Sequence, residues 1–536
     1  MHQYSQPFHK IFQHAAYALL ALVALFILFT FTQYGLSNDE PVQHEYGRLL
    51  LDFYRSGFVD QKAFHYVNLY LYGGLFDLIA ALLEKILPYN VWDMRHLLSA
   101  MFGLAGLLAV YKIATELAGA RAGFFAVLLL ALTGAWSGAM FTHTKDIPFA
   151  TCMAWALYYT VLASENFPKI PLAVAVKLGI AIGCALGLRV GGGFAVIYLF
   201  LTLVYASLRT DYQLNTSLRF FKEGFIYLLP IAVVAFILMA IFWPWGVMSP
   251  KHPFEAIRAF SHFSFNMTTI VDGAVLSIGE LPRTYLLSYL SVRLPEAFLM
   301  GVFSFVIFGL VHLKTPLTLF NPAKYVGYVA VVIAVVFPIT FVLFTKPALY
   351  NGVRHFTFIL PPLAVVAGLG VEKFLLHFQS VKRISRIFVV AFALLCCMAF
   401  IKLVQFHPYE YVVYNQFAGK TEKLSQRWET DYWSSGMRET AQMLNQFALP
   451  ARDTPYLVAA CTDSIQGGAY LDKRFQVTRD WTSADFFMAT TQGGCDEAMQ
   501  GKVIGEVKRQ GLILTVLKDR RHLEGNDRIP RPSVGG

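Results

Sequence analysis

The chain has few charged residues for its length. Only 15% of its 536 residues are Asp, Glu, Lys or Arg, whereas a soluble chain of this size is nearer a quarter charged. Hydrophobic residues make up 56% of the sequence, and the mean hydropathy is +0.51. This composition excludes an ordinary soluble protein and predicts a polytopic membrane protein.

Cysteine is also scarce, and the motifs that depend on it are absent. The six cysteines form no CxxC pair and no Cys/His metal spacing. The stretch "RVGGG" (189–193) lacks the Walker pattern of a nucleotide-binding loop. The sequence therefore indicates no cofactor and no metal site, although a divalent cation is compatible with it. Cys461 and Cys495 lie in a polar region and could pair in an oxidising compartment.

Long apolar runs divide the first 404 residues into candidate membrane helices. A bilayer core needs about 20 apolar residues per helix, and eleven runs come close to that length. They are roughly 15–34, 96–116, 122–141, 147–164, 171–188, 191–208, 224–243, 293–312, 325–345, 356–371 and 387–404. A further run, 66–87, carries Asp77 and Glu84 and suits a helix at the membrane interface. Counting it as a span would make twelve.

The connections between the runs predict an orientation. Four short connections are net basic, which is typical of cytoplasmic loops; they are 118–121, 208–222, 312–324 and 372–386. With eleven spans they share the N-terminal side, so we expect a cytoplasmic N-terminus. The opposite side then holds 35–95, 142–146, 189–193, 244–292, 345–355 and everything after residue 404.

The segment after the first run predicts a surface helix. In 40–55, apolar residues recur at helical spacing and charged residues take the other face, as in a short amphipathic helix on a membrane surface. Asp39 stands at its start, where a carboxylate can cap free N–H groups. Glu40 can support the same helix start.

The composition becomes polar after Phe406. Strand-like runs lie at 456–461, 474–478, 485–489 and 512–517, and a helical pattern lies at 435–448. We therefore predict a membrane domain at 1–404, followed by a small extracytoplasmic α/β domain at 405–536.

Charged and imidazole side chains gather near the ends of the apolar runs on the predicted outer face. They are Asp39, Glu40, Lys62, His65, Arg95, His96, Lys145, Asp146, Arg189, Arg354 and His355. Charges at membrane depth are costly, so they usually pair or serve a site. Cations beside a few carboxylates suit an anionic head group together with a proton acceptor.

Most of these residues also have a structural explanation, which the sequence leaves open. Asp39 and Asp146 can cap helices, and Lys145 can mark a membrane edge. Arg95 can extend to lipid head groups, and Arg189 can anchor a helix end. The two histidines His65 and His96 suit the membrane interface.

The order of these segments resembles a known enzyme family. The segments are "NDEPVQHEYGRLL" (38–50), 95–132, "HTKDIPFA" (143–150), "YNGVRHFTFILPPLAVVAG" (350–368), "HPYEYVVYNQFAG" (407–419) and "ETDYWSSGMRE" (429–439). They resemble the polyprenyl-phosphate-dependent glycosyltransferases of the GT-C fold, including family 39, the protein O-mannosyltransferases and the lipid A aminoarabinose transferases. The resemblance implies an all-α polytopic domain of about eleven transmembrane helices, with amphipathic interfacial helices in the first outer loop and a small soluble α/β domain after it.

The resemblance also implies a reaction. The enzyme would move a sugar from a polyprenyl-phosphate donor to a hydroxyl of a lipid, glycan or protein, with inversion, on the outer face of a bacterial inner membrane. Asp39, beside Glu40, is the implied base, because the acceptor hydroxyl must lose a proton. The leaving phosphate needs cations, and the implied ligands of the donor are Lys62, His65, Lys145, Asp146, Arg189, Arg354 and His355.

Two other functions are compatible with a membrane protein of this composition. A carrier or flippase for a lipid-linked saccharide usually has repeated halves with charges at mid-membrane, whereas this chain has no half-repeat and its charges crowd one face. A non-catalytic partner of a cell-envelope assembly would use 405–536 for docking. The net charge of +10 indicates contact with anionic lipids rather than nucleic acid.

Overall fold

The computed structural model describes residues 6–207, 214–261, 268–313 and 325–531, in which membrane-length helices precede a C-terminal sheet. Parts of the predicted connections 208–222 and 312–324 lie outside the described residues. The described helices are α1 (Gln6–Thr30), α2 (Glu40–Arg55), α3 (Leu75–Glu84), α4 (Val91–Ala118), α5 (Ala120–Ala131), α6 (Gly134–Ser137), α7 (Ala139–Thr142), α8 (Asp146–Asn166), α9 (Leu172–Leu186), α10 (Gly193–Ser207), α11 (Leu214–Phe242), α12 (Pro244–Met248), α13 (His252–Ser261), α14 (Tyr285–Arg293), α15 (Glu296–Leu313), α16 (Val326–Thr345), α17 (Leu360–His377), α18 (Lys382–Phe406), α19 (Met437–Gln446) and α20 (Ser464–Gly468).

The predicted apolar runs are all helical, but not all of them are complete spans. Within the described residues, eight helices are long and apolar enough to cross a membrane, or ten if each of two bent pairs is one span. The run at 171–188 forms α9, which has only 15 residues. The expected number of about eleven is therefore reached only if this short helix is included. The ambiguous run at 66–87 gives α3, whose 10 residues are too few to span a bilayer.

A particular residue stands at each of the two bends. The axis turns by 73° between α5 and the α6–α7 segment, and by 118° between α14 and α15. At the first bend a Cβ on Gly134 would lie 2.2 Å from the carbonyl oxygen of Glu410, so a larger residue would push the two backbones apart. At the second, Pro295 stands between the helices and cannot continue the hydrogen bonding of α14.

The loops assigned to the outer face come together in space. The Gly74 amide donates to the Phe242 carbonyl at 2.7 Å, and the Trp243 indole donates to the Tyr70 carbonyl at 2.9 Å. The C-terminal end of α4 lies with the connections assigned to the cytoplasmic side, since the Tyr328 hydroxyl donates to the Leu117 carbonyl at 2.7 Å. The 28 residues of α4 separate the two ends by roughly 40 Å.

The predicted surface helix is present as α2. Its buried face includes Tyr46, Leu50 and Phe53, while Asp52 and Arg55 are exposed. The Asp39 side chain precedes this helix but makes no capping hydrogen bond to it. The capping explanation for Asp39 is therefore wrong, and its carboxylate is available for another contact.

The C-terminal residues form a mixed sheet with helices around it. Its strands, in the part of the chain described after residue 455, are β3 (Tyr456–Ala460), β4 (Phe475–Val477), β5 (Phe486–Thr490), β6 (Lys502–Arg509) and β7 (Leu512–Asp519), and β1 (Thr268–Val271) and β2 (Ala274–Ser277) form a separate hairpin. The strand order is β4-β3-β5-β7-β6, with β3 parallel to both neighbours and β7 antiparallel to both of its own. The sequence predicted four of these five strands and missed β6. A disulfide joins Cys461 to Cys495.

The segment between the last membrane helix and the sheet packs into the helical core. Tyr409, Tyr411 and Trp433 are buried in the same hydrophobic cluster as residues of α4, α8 and α17. Packing is therefore continuous across the predicted boundary at residue 404, and the division into two domains stays a prediction.

Candidate active site

The Asp39 carboxylate and the Arg354 guanidinium are in direct contact. Arg354 Nη2 donates to Asp39 Oδ2 at 2.6 Å, across 315 positions of sequence. Asp39 lies in the loop after α1, and Arg354 opens a 3₁₀ turn that leads into α17. The Arg354 side chain is 9% exposed and that of Asp39 is 41% exposed. The carboxylate is therefore reachable from solvent, whereas the guanidinium is largely enclosed.

Asp146 joins Arg354 to a second arginine. Its carboxylate accepts from Arg354 Nε at 3.2 Å and from Arg189 Nη2 through its other oxygen. Asp146 is the first residue of α8, and Arg189 follows the C-terminal end of α9. A carboxylate at a helix start also meets the positive end of the helix dipole. Asp146 thus holds two guanidinium groups side by side.

Aromatic rings support these cations. The Arg354 guanidinium carbon lies 3.9 Å from the centroid of the Trp433 ring. The Tyr72 ring lies between two cations, 4.4 Å from Lys145 Nζ and 5.7 Å from the guanidinium carbon of Arg189. Such contacts stabilise a cation that has lost part of its water.

Lys145 presents a buried ammonium that no acceptor in the described part of the chain reaches at hydrogen-bond distance. Its side chain is 5% exposed, and Nζ has no hydrogen-bond acceptor among the described residues. The Asp77 carboxylate is 3.9 Å away. Burial lowers the pKa of Lys145 to about 8, although Asp77 opposes this effect. An ammonium in this position has N–H groups available to donate hydrogen bonds to an anionic ligand.

A buried ion network stands beside Lys145. Arg95 Nη2 donates to Asp77 Oδ1 at 3.0 Å, and its Nε lies 3.7 Å from Glu40 Oε1. The His96 ring lies 3.3 Å from Glu40 Oε2. Burial raises the pKa of Asp77, whereas His96 and Arg95 outweigh burial at Glu40 and lower its pKa.

This network corrects two explanations drawn from the sequence. The Arg95 and His96 side chains are 0% exposed, so Arg95 does not extend to lipid head groups and His96 is not an interface residue. Glu40 also accepts from the Ser37 amide at 2.8 Å. Because the network fully encloses Glu40, it can fix the loop that carries Asp39 but cannot contact a substrate.

The sequence of the helical region matches a known family. Residues 75–245, about a third of the chain, match the family described as dolichyl-phosphate-mannose-protein mannosyltransferase. The matched part contains Asp77, Arg95, Lys145, Asp146 and Arg189. The chain is a membrane glycosyltransferase.

The architecture of the glycosyltransferase is similar to solved structures. The apo oligosaccharyltransferase of Archaeoglobus fulgidus has 13% identity and a TM-score of 0.50, over 89% of this chain and 69% of that one. ArnT from Cupriavidus metallidurans bound to undecaprenyl phosphate has 15% identity and a TM-score of 0.45, over 93% of this chain and 97% of that one. The mycobacterial arabinofuranosyltransferase AftD has 12% identity and a TM-score of 0.40, over 95% of this chain and 40% of that one. The first of these likenesses shows a shared GT-C fold. Comparison with curated protein sequences gives no match.

Two predicted ligands lie apart from the ion pairs of the glycosyltransferase. Lys62 is 76% exposed and pairs with Asp60 at 3.2 Å. Lys62 and His65 line a separate, open pocket of about 610 Å³. His355 instead follows Arg354 directly, and its ring packs edge-on at 4.5 Å against Tyr350, whose ring also lies 5.8 Å from the Arg354 guanidinium carbon. The structure therefore places His355 beside the cluster but does not bring Lys62 and His65 to the Asp39–Arg354 contact.

Two residues of the cluster were missed as functional candidates. Asp77 had a usable signal, because it lies in the apolar run "LFDLIAALLE", where a charge is costly. Tyr72 gave no such signal, since only the fold brings its ring to the cations. From the sequence, Trp433 is compatible with a sugar-stacking surface together with Tyr409, Tyr411 and Tyr414, or with packing under the C-terminal region, and in the structure its ring lies on Arg354. No group of three or more His, Cys, Asp or Glu suited to a metal occurs in the described ranges.

Proposed function

We propose that this glycosyltransferase moves a sugar from a polyprenyl-phosphate donor to a hydroxyl acceptor, with inversion at the anomeric carbon. The observation that carries the proposal is the contact between Asp39 and Arg354. It brings a reachable carboxylate, which can take a proton, next to enclosed cations, which can hold a phosphate. Such a pair is what displacement of a phosphate by an alcohol requires.

The donor side consists of Arg189, Arg354 and Lys145. An arginine can bind two phosphate oxygens at once, and a lysine adds a point charge with three donors. Lys145 supports this role because its ammonium lacks an acceptor among the described residues. The matched family description names a dolichyl-phosphate-linked sugar, which is a donor of the same chemical class.

The reaction can be written with these groups in place. The acceptor oxygen attacks the anomeric carbon while its proton passes to Asp39. The bond between that carbon and the phosphate oxygen breaks, and its electrons remain on the phosphate. The guanidinium groups and Lys145 stabilise the charge that grows there. One displacement, with no covalent intermediate, gives inversion.

We also propose that the site faces the extracytoplasmic side, with the C-terminal region beside it. Arg438 of that region donates to the Tyr34 carbonyl at 2.8 Å, and the Gln466 amide donates to the Leu36 carbonyl at 2.6 Å. The sheet is thus bonded to the loop that carries Asp39. The disulfide between Cys461 and Cys495 supports an oxidising compartment.

The test is Asp39→Asn, with Asp52→Asn as the matched control. Asp52 is exposed on α2, so this change removes the same charge away from the cluster. Proteoliposomes with a lipid-linked sugar and a glycan extract are followed by mass spectrometry for released polyprenyl phosphate. Asp39→Asn should reduce transfer by about 10²–10⁴-fold, whereas Asp52→Asn should match wild type. Undiminished transfer by a folded Asp39→Asn protein would remove the proposed base. Movement of the donor across the bilayer without transfer would instead favour a carrier.

A further inference from the structure

Arg354 is held from two sides that differ in accessibility. On one side Asp146 is 4% exposed and also binds Arg189, so it is fixed by two partners. On the other side Asp39 is 41% exposed, and its side chain makes no helix cap. Trp433 covers a face of the same guanidinium. The contact with Asp39 is therefore the exchangeable one.

A phosphate ester competes with Asp39 for Arg354. Arginine binds phosphate through pairs of adjacent N–H groups, and here Nη2 donates to Asp39 while Nε donates to Asp146. An entering phosphate that takes the N–H now donated to Asp39 replaces the Asp39 oxygen, and like charge disfavours two anions on the same nitrogen. The Asp39 oxygen that accepts from Nη2 is also not free to receive the proton of the acceptor hydroxyl. The contact between Asp39 and Arg354 thus occupies a proposed ligand of the sugar donor and also holds the proposed base.

We infer that the donor phosphate displaces Asp39 from Arg354, so that the base is released only after the donor has bound. The donor then binds first, and the acceptor meets a free carboxylate only in the donor complex. This inference rests on the proposed function and adds an order of binding to it.

The test measures equilibrium binding of a polyprenyl phosphate to the full-length protein in nanodiscs. If Asp39 competes for Arg354, Asp39→Asn should bind the probe more tightly, by about two- to fivefold for a partly exposed ion pair. Asp272→Asn is the matched control, because Asp272 also pairs with an arginine, Arg427, at an exposed turn. It should leave the dissociation constant unchanged. Asp39→Ala should act as Asp39→Asn does, so the test does not depend on one variant.

The same substitution made in an Arg354→Gln protein separates displacement of Asp39 from simple charge repulsion. In Arg354→Gln protein no guanidinium is left to compete for, so Asp39→Asn should no longer change the dissociation constant. Equal tightening in both backgrounds would show that repulsion alone acts, and it would overturn displacement. An unchanged constant in Asp39→Asn protein that has lost transfer would also overturn it, while leaving the proposed base intact. Failure of wild-type protein to bind the probe or to transfer sugar would count against the proposed function itself.

Discussion

Lys145 is expected to lose its proton slightly above neutral pH, and kcat/KM for the lipid-linked sugar donor should fall as this proton is lost. Burial lowers the pKa of its ammonium to about 8, with Asp77 opposing the effect. Above this pH the donor would meet a neutral amine, so kcat/KM for the donor should decrease. A bound phosphate favours the charged amine. The decrease in kcat should therefore lie at higher pH than the decrease in kcat/KM, because kcat reports the substrate complex.

The expected size follows from the contact that is lost. A hydrogen bond to a charged group contributes about 1.5–3 kcal/mol, which corresponds to roughly a 10- to 100-fold fall in kcat/KM. Stability should change in the opposite direction. Because the pKa of folded Lys145 lies below its ordinary value of 10.5, the protonated amine opposes folding, and stability should rise as the pH increases from about 8 toward 10.5.

The assay is the pH profile of kcat/KM for the lipid-linked donor in proteoliposomes. Lys145→Arg keeps the charge and should remove the decrease near pH 8, whereas Lys145→Met should be slow at every pH. Asp77→Asn should shift the decrease to lower pH, because Asp77 raises the pKa of Lys145. Lys62→Met, on the same face but exposed, should retain the wild-type profile. An unaltered decrease in Lys145→Arg, or a wild-type rate in Lys145→Met, would refute the role of this lysine.

Three further changes test the surroundings of the site. Arg95→Met should destabilise the protein by about 3–5 kcal/mol, because it removes the buried arginine that pairs with both Asp77 and Glu40; an unchanged thermal midpoint in detergent would contradict the buried pair. Trp433→Leu should lower kcat/KM for the lipid-linked donor, with a loss of transition-state stabilisation of about 0.5–2 kcal/mol, the size of a cation–π contact with Arg354. Trp433→Phe should recover part of this loss. Equal kinetics for the Leu and Phe variants would exclude the contact. Cys461→Ser should destabilise the sheet by about 2–5 kcal/mol, seen as a lower midpoint in near-UV circular dichroism, and the same midpoint in oxidised wild type and variant would count against a disulfide.

The membrane helices could be predicted because a bilayer constrains both their length and their composition. Hydropathy carries no information about direction, however, so 122–141 was predicted as one continuous span, and the sharp bend at Pro295, where the run 293–312 begins, was not predicted. The bend within 122–141 lies where Gly134 meets the backbone of a distant segment. Only the proline was a usable local signal. The edge strand β6 was missed because its sequence, "KVIGEVKR", is polar and interrupted by glycine.

The candidate site could be predicted in part from the cost of charge in a membrane. That argument placed Asp39, Asp146, Arg189 and Arg354 on one face, and the structure puts them in one chain of ion pairs. It could not separate these residues from Lys62, since all of them are charged and lie near the ends of apolar runs on the same predicted face. Packing decides between them, and packing depends on residues that are hundreds of positions apart.

The charges of the cluster explain why Asp39 suits the role of a base. Four carboxylates stand among four cations: Asp39, Glu40, Asp77 and Asp146, with Arg95, Lys145, Arg189 and Arg354. A donor phosphodiester adds one negative charge, so one carboxylate becomes surplus, and Asp39 is the exposed one. When Asp39 takes the proton of the acceptor it becomes neutral, while the departing phosphate gains a negative charge. The total charge of the cluster then stays constant through the displacement, which limits the cost of moving charge beside cations that are largely enclosed.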